Sequence, residues 1–244
     1  MSKNTTKKPR ALTFDVFGTV VDWRTSISRE IQELGTNKDF VINWSGFADA
    51  WREGYAPSIN MVRNGQLPWM NIDSLHMMIL RELLEKHSIT ILTDEEITNL
   101  NLAWHRLDPW EDSVEGLTLL KRSVIVSTLS NGNLSLLVDM AKYGGLPWDV
   151  VLSAELTKHY KPDPETYLSC SDYLGMPMEE IMMVAAHKND LRAAKSHGMS
   201  TAYVLRPLEH GTTTTLDDRP EEFIDLIASD FIDLNNKLTT FTDS

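Results

Sequence analysis

The sequence predicts an α/β protein: a doubly wound, parallel-sheet (Rossmann-like) core with an all-helical segment inserted after its first strand. Three observations predict it. A short apolar strand, Leu12-Thr13-Phe14, ends in Asp15 and a turn. The stretch from Trp44 to His105 has helical spacing and no convincing strand. Beyond Pro109, apolar strands alternate with helices, the rhythm of a parallel sheet covered on both faces.

Taken in order, Met1 to Arg10 is polar and basic with no apolar core, so it reads as a disordered arm and not as a secretory signal. After the first strand, Thr25 to Leu34 reads as a helix ended by Gly35. Trp51-Arg52-Glu53-Gly54-Tyr55 lies on a helical stretch. Asp73 to His87 carries Leu75, Met78, Ile79, Leu83 and Leu84 at the spacing of a one-sided helix. Thr93 with Glu96 forms a capping box ahead of a helix, Asp94 to Arg106. Asp108-Pro109-Trp110 interrupts the pattern.

The alternation then runs as helix Ser113 to Lys121, strand Val124 to Leu129, helix Leu134 to Lys142 and strand Val150 to Leu152. It continues as helix Glu165 to Leu174, strand Ile181 to Ala185, helix Leu191 to His197 and strand Thr201 to Leu205. Gly211 to Pro220, rich in Thr and Asp, is a loop, and Glu221 to Leu238 returns as a strand and a helix. The expected organisation is a core of residues 11–24 and 107–238 with a helical cap of residues 25–106. No internal repeat is present.

Composition bounds the function. The 244 residues are 42% hydrophobic and 24% charged, ordinary values for a soluble globular protein. The net charge of −12 argues against nucleic acid as the main partner. An anionic substrate would need a few well-placed cations to attract it against that field. No apolar run approaches membrane-spanning length, so no membrane partner is expected. The single cysteine, Cys170, excludes an internal disulfide and fits a reducing compartment, here the cytoplasm. It falls in a helix and reads as packed, not reactive.

Four clusters follow core strands or begin core helices. Asp15 with Thr19 flanks Phe17-Gly18, and Gly18 frees the backbone for a sharp turn. Taken alone, such a pair is an ordinary turn. Ser130-Asn131-Gly132-Asn133 follows a strand and opens a helix, where backbone N–H groups bind anions and Ser and Asn also serve as caps. In Lys161-Pro162-Asp163-Pro164, the prolines stiffen the approach and Asp163 can cap the next helix, which carries Tyr167, either a site residue or a core residue. Val184-Ala185-Ala186-His187-Lys188-Asn189-Asp190 ends a strand with one carboxylate, Asp190.

In order and spacing these clusters resemble the haloacid dehalogenase superfamily, from about Ala11 to Leu238. Within it they are similar to the type II (S)-2-haloacid dehalogenases. Superfamily phosphatases carry a second Asp where this chain has Phe17, and a metal-binding Asp where it has Ala186. A phenyl ring offers no proton to a leaving alkoxide. Asp15, Asp190 and Lys161 make a poor Mg²⁺ site, so no metal and no cofactor is expected. Well-known type II dehalogenases carry Ser, Ser and Asn where this chain has Ala185, Ala186 and His187.

The resemblance implies roles. Asp15 is the nucleophile, Lys161 keeps it ionised, and Thr19 positions it. Ser130 and Asn131 hold the substrate carboxylate. Arg52, with Asn131 or neighbouring aromatics, meets the departing halide, with Arg24 and Arg63 as alternatives. Phe17, Tyr167 and Asn189 line the same pocket. Asp190 and Lys161 hold a water, and His187 either activates it or braces the loop. The implied reaction is hydrolytic dehalogenation of short (S)-2-haloacids or haloacetates through an aspartyl ester. A phosphohydrolase of the same superfamily and a non-catalytic small-anion binder are the alternatives. The resemblance also leaves room for a homodimer.

Overall fold

A computed structural model describes residues 8–212 and 217–239. Residues 1–7 of the expected arm and 213–216 of the expected loop lie outside the described residues. The last part of that arm is not loose. Arg10 donates its N–H to the Glu180 carbonyl (2.8 Å), accepts from the Ile125 N–H (3.0 Å), and pairs with the Glu180 carboxylate at 2.6 Å. It extends the first strand because both neighbouring strands offer partners there.

That strand, β1 (Ala11–Phe14), is fully buried, with Leu12 registered against Val126 on one side and Met182 on the other. Burial on both faces explains why it reads as a continuous apolar run. A two-residue strand β2 (Val21–Asp22) pairs antiparallel with β3 (Asp108–Pro109). The remaining strands are β4 (Ile125–Ser130), β5 (Val150–Ser153), β6 (Ile181–Ala185), β7 (Ser200–Val204) and β8 (Leu226–Ala228). With β1 they form one parallel six-stranded sheet in the order β5-β4-β1-β6-β7-β8. The chain leaves β1 towards β4 and later returns to its other side at β6. This is a switch point of the strand order, and it opens a crevice at the strands' C-terminal ends.

Between β2 and β3 lie α1 (Trp23–Lys38), α2 (Trp44–Glu53), α3 (Tyr55–Arg63), α4 (Ile72–Lys86), α5 (Asp94–Asn101) and a 3₁₀ turn (Leu102–Arg106). The core helices are α6 (Ser113–Leu120), α7 (Leu134–Gly144), α8 (Ala154–Thr157), α9 (Pro164–Leu174), α10 (Lys188–Ser196) and α11 (Phe231–Thr239).

Several expected boundaries move for local reasons. Gly35 does not end α1. The helix runs through it to Lys38 and is capped by Asp39, which adopts a left-handed φ of 58°. Gly35 serves close packing instead, since a Cβ there would meet the Trp44 ring at 2.4 Å. The helical stretch around Arg52 breaks at Gly54, where a Cβ would lie 2.6 Å from Ile79. The helix expected to reach Arg106 tightens to 3₁₀ geometry after Asn101. The expected capping box of Thr93 and Glu96 is present in both directions. Asp163 precedes α9 but makes no side-chain cap bond, because its carboxylate is taken by Arg63. Helix α10 begins at Lys188, three residues before the expected Leu191, which places Asp190 in its first turn.

Candidate active site

The site forms at the C-terminal ends of β1, β4 and β6. Asp15 follows β1, and its N–H is fixed by the Val184 carbonyl of β6 at 3.0 Å. Its carboxylate receives three side-chain donors: Lys161 Nζ on Oδ1 (3.0 Å), with Thr19 Oγ1 (2.8 Å) and His187 Nδ1 (2.9 Å) on Oδ2. Burial opposes its ionisation, but Lys161, His187 and Thr19 outweigh that and hold the carboxyl well below the usual carboxylate range. Thr19 is oriented in turn by the N–H of Ala186, which donates to its hydroxyl at 2.9 Å.

Lys161 sits between two carboxylates, 3.0 Å from Asp15 and 2.5 Å from Asp190. Burial disfavours its charge, yet the two anions raise its pKa above the ordinary lysine value. Tyr167 donates its hydroxyl to Asp190 Oδ1 at 2.6 Å. Burial, aided by the nearby Asp15, pushes the Asp190 carboxyl up despite Lys161. The ammonium lies where a cation bridging the two carboxylates would have to sit. Ala186 offers no side-chain oxygen, so these residues do not fit a divalent metal.

His187 carries a carboxylate on each ring nitrogen: Asp15 at Nδ1 and Glu209 Oε1 at Nε2, 3.0 Å away. An ionised carboxylate only accepts, so both nitrogens hold protons and the ring is an imidazolium. Burial lowers its pKa, but the bonds to Asp15 and Glu209 raise it to about 10. Glu209 also accepts from Trp23 Nε1 at 3.2 Å. Its own carboxyl is held below the usual range: burial opposes this, and His187 overcomes it. Gly18, with φ of 81°, makes room, since a Cβ there would lie 2.1 Å from Glu209 Oε1.

Glu209 is the one carboxylate in contact with the site's histidine, among the described residues, that the sequence did not single out. The Leu205–His210 stretch has no motif, and the only cue was a carboxylate just past the C-terminal end of β7, on the edge where such sheets place their chemistry. Tyr55 is a second addition. Its buried hydroxyl is hydrogen-bonded with Asn131, and burial raises its pKa.

A cavity of about 350 Å³ opens beside these groups. Its lining includes Asp15, Phe17, Arg52, Asn131, Tyr167 and Asn189, so the structure brings these expected residues together. Asn131 also accepts the Lys161 backbone N–H at 2.8 Å. Ser130 departs from expectation. It is fully buried at the end of β4, outside that lining, and its hydroxyl accepts the Gly132 N–H at 3.1 Å. That bond fixes the turn of the loop.

The three candidate arginines also separate. Arg24 makes a two-pronged pair with Asp49 (2.7 and 2.8 Å) and does not line the cavity. Arg63 lines it but is neutralised by Asp163 at 2.6 Å. Arg52 stacks over Tyr55, its guanidinium carbon 4.4 Å from the ring centroid, and has no carboxylate partner among the described residues. It is therefore the unpaired cation of the cavity.

The sequence model of the haloacid dehalogenase-like hydrolase family matches residues 9–198. The (S)-2-haloacid dehalogenase 4A of Burkholderia cepacia is 28% identical over 217 residues, 81% of this chain and 83% of its own length. The crystal structure of the defluorinating L-2-haloacid dehalogenase Rha0230 is 41% identical with a TM-score of 0.93, covering 98% of each chain. That of the L-2-haloacid dehalogenase PA0810 is 42% identical with a TM-score of 0.91, covering 95% of this chain and 99% of its own. With the matched family model spanning most of its length and full-length relatives above 40% identity, the chain belongs to the haloacid dehalogenase-like hydrolase family.

Proposed function

We infer that the protein is a hydrolytic 2-haloacid dehalogenase acting on short (S)-2-haloacids or haloacetates. The observation that carries this reading is a desolvated, fully ionised Asp15 facing a cavity that holds the unpaired Arg52, with Phe17 where a phosphatase needs an acid. A carboxylate deprived of water and held by three donors is a positioned nucleophile. The two full-length relatives above 40% identity are both named L-2-haloacid dehalogenases.

In this reading Arg52 and Asn131 receive the anionic substrate and the departing halide. Asp15 attacks the halogen-bearing carbon from behind. The carbon–halogen bond breaks, halide leaves, and an ester forms on Asp15. Ester formation cancels the Asp15 charge that holds one of the two protons on His187. His187 then releases that proton to solvent and can accept one from a water directed at the ester carbonyl, while Glu209 keeps the ring oriented. The leaving oxygen takes the proton of the tetrahedral hydroxyl, so the hydroxyacid departs, Asp15 is restored as a carboxylate and His187 is again an imidazolium. One displacement at carbon inverts it, giving an (R)-2-hydroxyacid from an (S)-2-haloacid. Residues 25–106 serve as a cap over the core in this scheme, with Arg52 and Tyr55 as its contribution to the cavity.

The test is halide release from 2-chloropropionate, chloroacetate and fluoroacetate in the presence of a chelator. Fluoroacetate belongs in the panel because one relative is described as defluorinating. No halide from any of them refutes the reading. A single turnover in ¹⁸O-water with enzyme in excess separates the routes. The ester route leaves the hydroxyacid unlabelled and the label in Asp15. Labelled hydroxyacid would mean direct attack by water on the substrate.

A further inference from the structure

A second histidine, away from the cavity, has the same two-carboxylate arrangement as His187. His105 lies in the 3₁₀ turn that returns the chain from the helical segment to the core. Its Nε2 faces Asp73 Oδ1 at 3.0 Å and its Nδ1 faces Asp139 Oδ2 at 2.8 Å. Asp73 stands in the first turn of α4 and Asp139 on α7, so one ring ties the helical segment to the core.

Asp73 goes further. Its Oδ2 accepts from Asn133 Nδ2 at 2.8 Å, and its N–H donates to Asn133 Oδ1 at 3.3 Å. Its carbonyl accepts from Asn101 Nδ2 at 3.0 Å. Asn133 closes the Ser130–Asn133 loop, and that loop carries Asn131 into the cavity. The chain of contacts runs from Asp139 through His105, Asp73 and Asn133 to the loop that presents Asn131. No member of the set other than Asn131 lines the cavity.

We infer that His105 is a positioning residue for substrate binding: as an imidazolium bridging Asp73 and Asp139, it clamps the Ser130–Asn133 loop, and with it Asn131, against the helical segment. The inference rests on the dehalogenase reading for its kinetic arm only. With both nitrogens facing acceptors, a neutral ring satisfies one carboxylate and turns a lone pair on the other. The clamp is therefore whole only while the ring is charged.

The titratable groups around His105 are Asp73 and His76 on α4 and Asp139 on α7. His76 is buried, and burial with the nearby Arg52 pushes its pKa down to about 3, so it stays neutral. Burial works against charge on His105, but Asp73 and Asp139 prevail and raise its pKa above the ordinary value. The bridge is thus complete below the ordinary histidine range and opens as pH rises through the raised value.

The probe for the bridge is Asp139→Asn. The Asp139 side chain is 60% exposed, so the change does not threaten the fold. It removes one anion from the ring, and the His105 midpoint should fall by about one pH unit. Ring-proton NMR reads that midpoint directly, and the side-chain amide signals of Asn131 and Asn133 should follow it. In halide-release assays at pH values from the ordinary histidine value upward, KM of the native enzyme should rise at the His105 midpoint. In Asp139→Asn the same rise should come about one unit lower, with kcat moving less than KM. His105→Gln cannot titrate, so its KM should be raised and flat in that range.

The inference is overturned if His105 titrates below the ordinary histidine value. It is also overturned if the midpoint shifts in Asp139→Asn while KM and the two amide signals do not. A native protein that releases no halide would refute the dehalogenase reading, while the NMR arm would still decide the clamp.

Discussion

Asp15 and the groups on its two oxygens set what the site can do. Lys161, Thr19 and His187 converge on it from three separate segments, and each was visible in the sequence as part of a short cluster. Asp15→Asn should abolish halide release, a loss of at least about 10³-fold, since the amide is no nucleophile. Lys161→Ala should cost nearly as much, and the double variant little more than either alone, because the pair works as a unit. Substantial turnover by Asp15→Asn would sink the assignment. Glu209 is the residue that sequence alone did not reveal, because its role depends on the spatial approach of the β7 loop to the Gly18 turn. Removing its charge should leave halide expulsion intact and slow ester hydrolysis. Glu209→Gln is therefore expected to show a burst of halide stoichiometric with enzyme, followed by slow turnover. The His187 midpoint near 10 should also fall by about one pH unit. A slow variant with no burst would place Glu209 outside the hydrolytic half-reaction.

At the scale of elements, the core strands were legible because both faces of the sheet are buried and their runs are apolar. The position of the loops at the switch point followed from that alternation. The helical segment was legible as helical but not in its joints. Gly35 and Gly54 look alike in sequence as helix breakers, yet one lies inside α1 and the other separates α2 from α3. In both cases the glycine is set by what packs against it, Trp44 and Ile79, and that is tertiary information. The end of β4 moved for a related reason: the strand runs one residue further than expected and includes Ser130, which is buried. The Gly18 turn makes the sharpest element-scale prediction. Its φ of 81° disfavours any side chain, and a Cβ would collide with Glu209. Gly18→Ala should lose about 1–3 kcal/mol of stability from backbone strain. It should also lose about tenfold or more in kcat as Glu209 is displaced from His187. Urea midpoints and steady-state kinetics check the two effects separately, and a variant with native kcat would show that Glu209 need not sit where it does.

Over the whole molecule, the buried charges have opposite pH signatures, and their sum sets the stability profile. Asp15, Asp73, Asp112 and Glu209 are all held below their ordinary values. For Asp112, burial is outweighed by a two-pronged pair with Arg206 at 2.6 and 2.9 Å. Groups with depressed pKa add stability above their ordinary carboxylate value, and that stability is lost as pH falls through the depressed one. His105 and His187 are raised, so their contribution is complete below the ordinary histidine value of 6.5. It is lost as pH rises, for His187 through about 10. Asp190, raised by burial and Asp15, also loses stability as pH rises, starting at its ordinary value of 3.8 and ending once the raised value is passed. The net charge, −12 with every histidine counted neutral, is approached from less negative values as the histidines lose their protons, so self-repulsion grows in the same direction. The urea midpoint should therefore be highest between about pH 5 and about pH 6.5 and decline steadily towards about pH 10. His187→Gln removes the largest alkaline contributor and should flatten that decline, while lowering the plateau. A midpoint that climbs from neutral pH to about pH 10 would mean that the two histidines are not held as imidazolium ions, and the charge scheme assigned to both would fail with it.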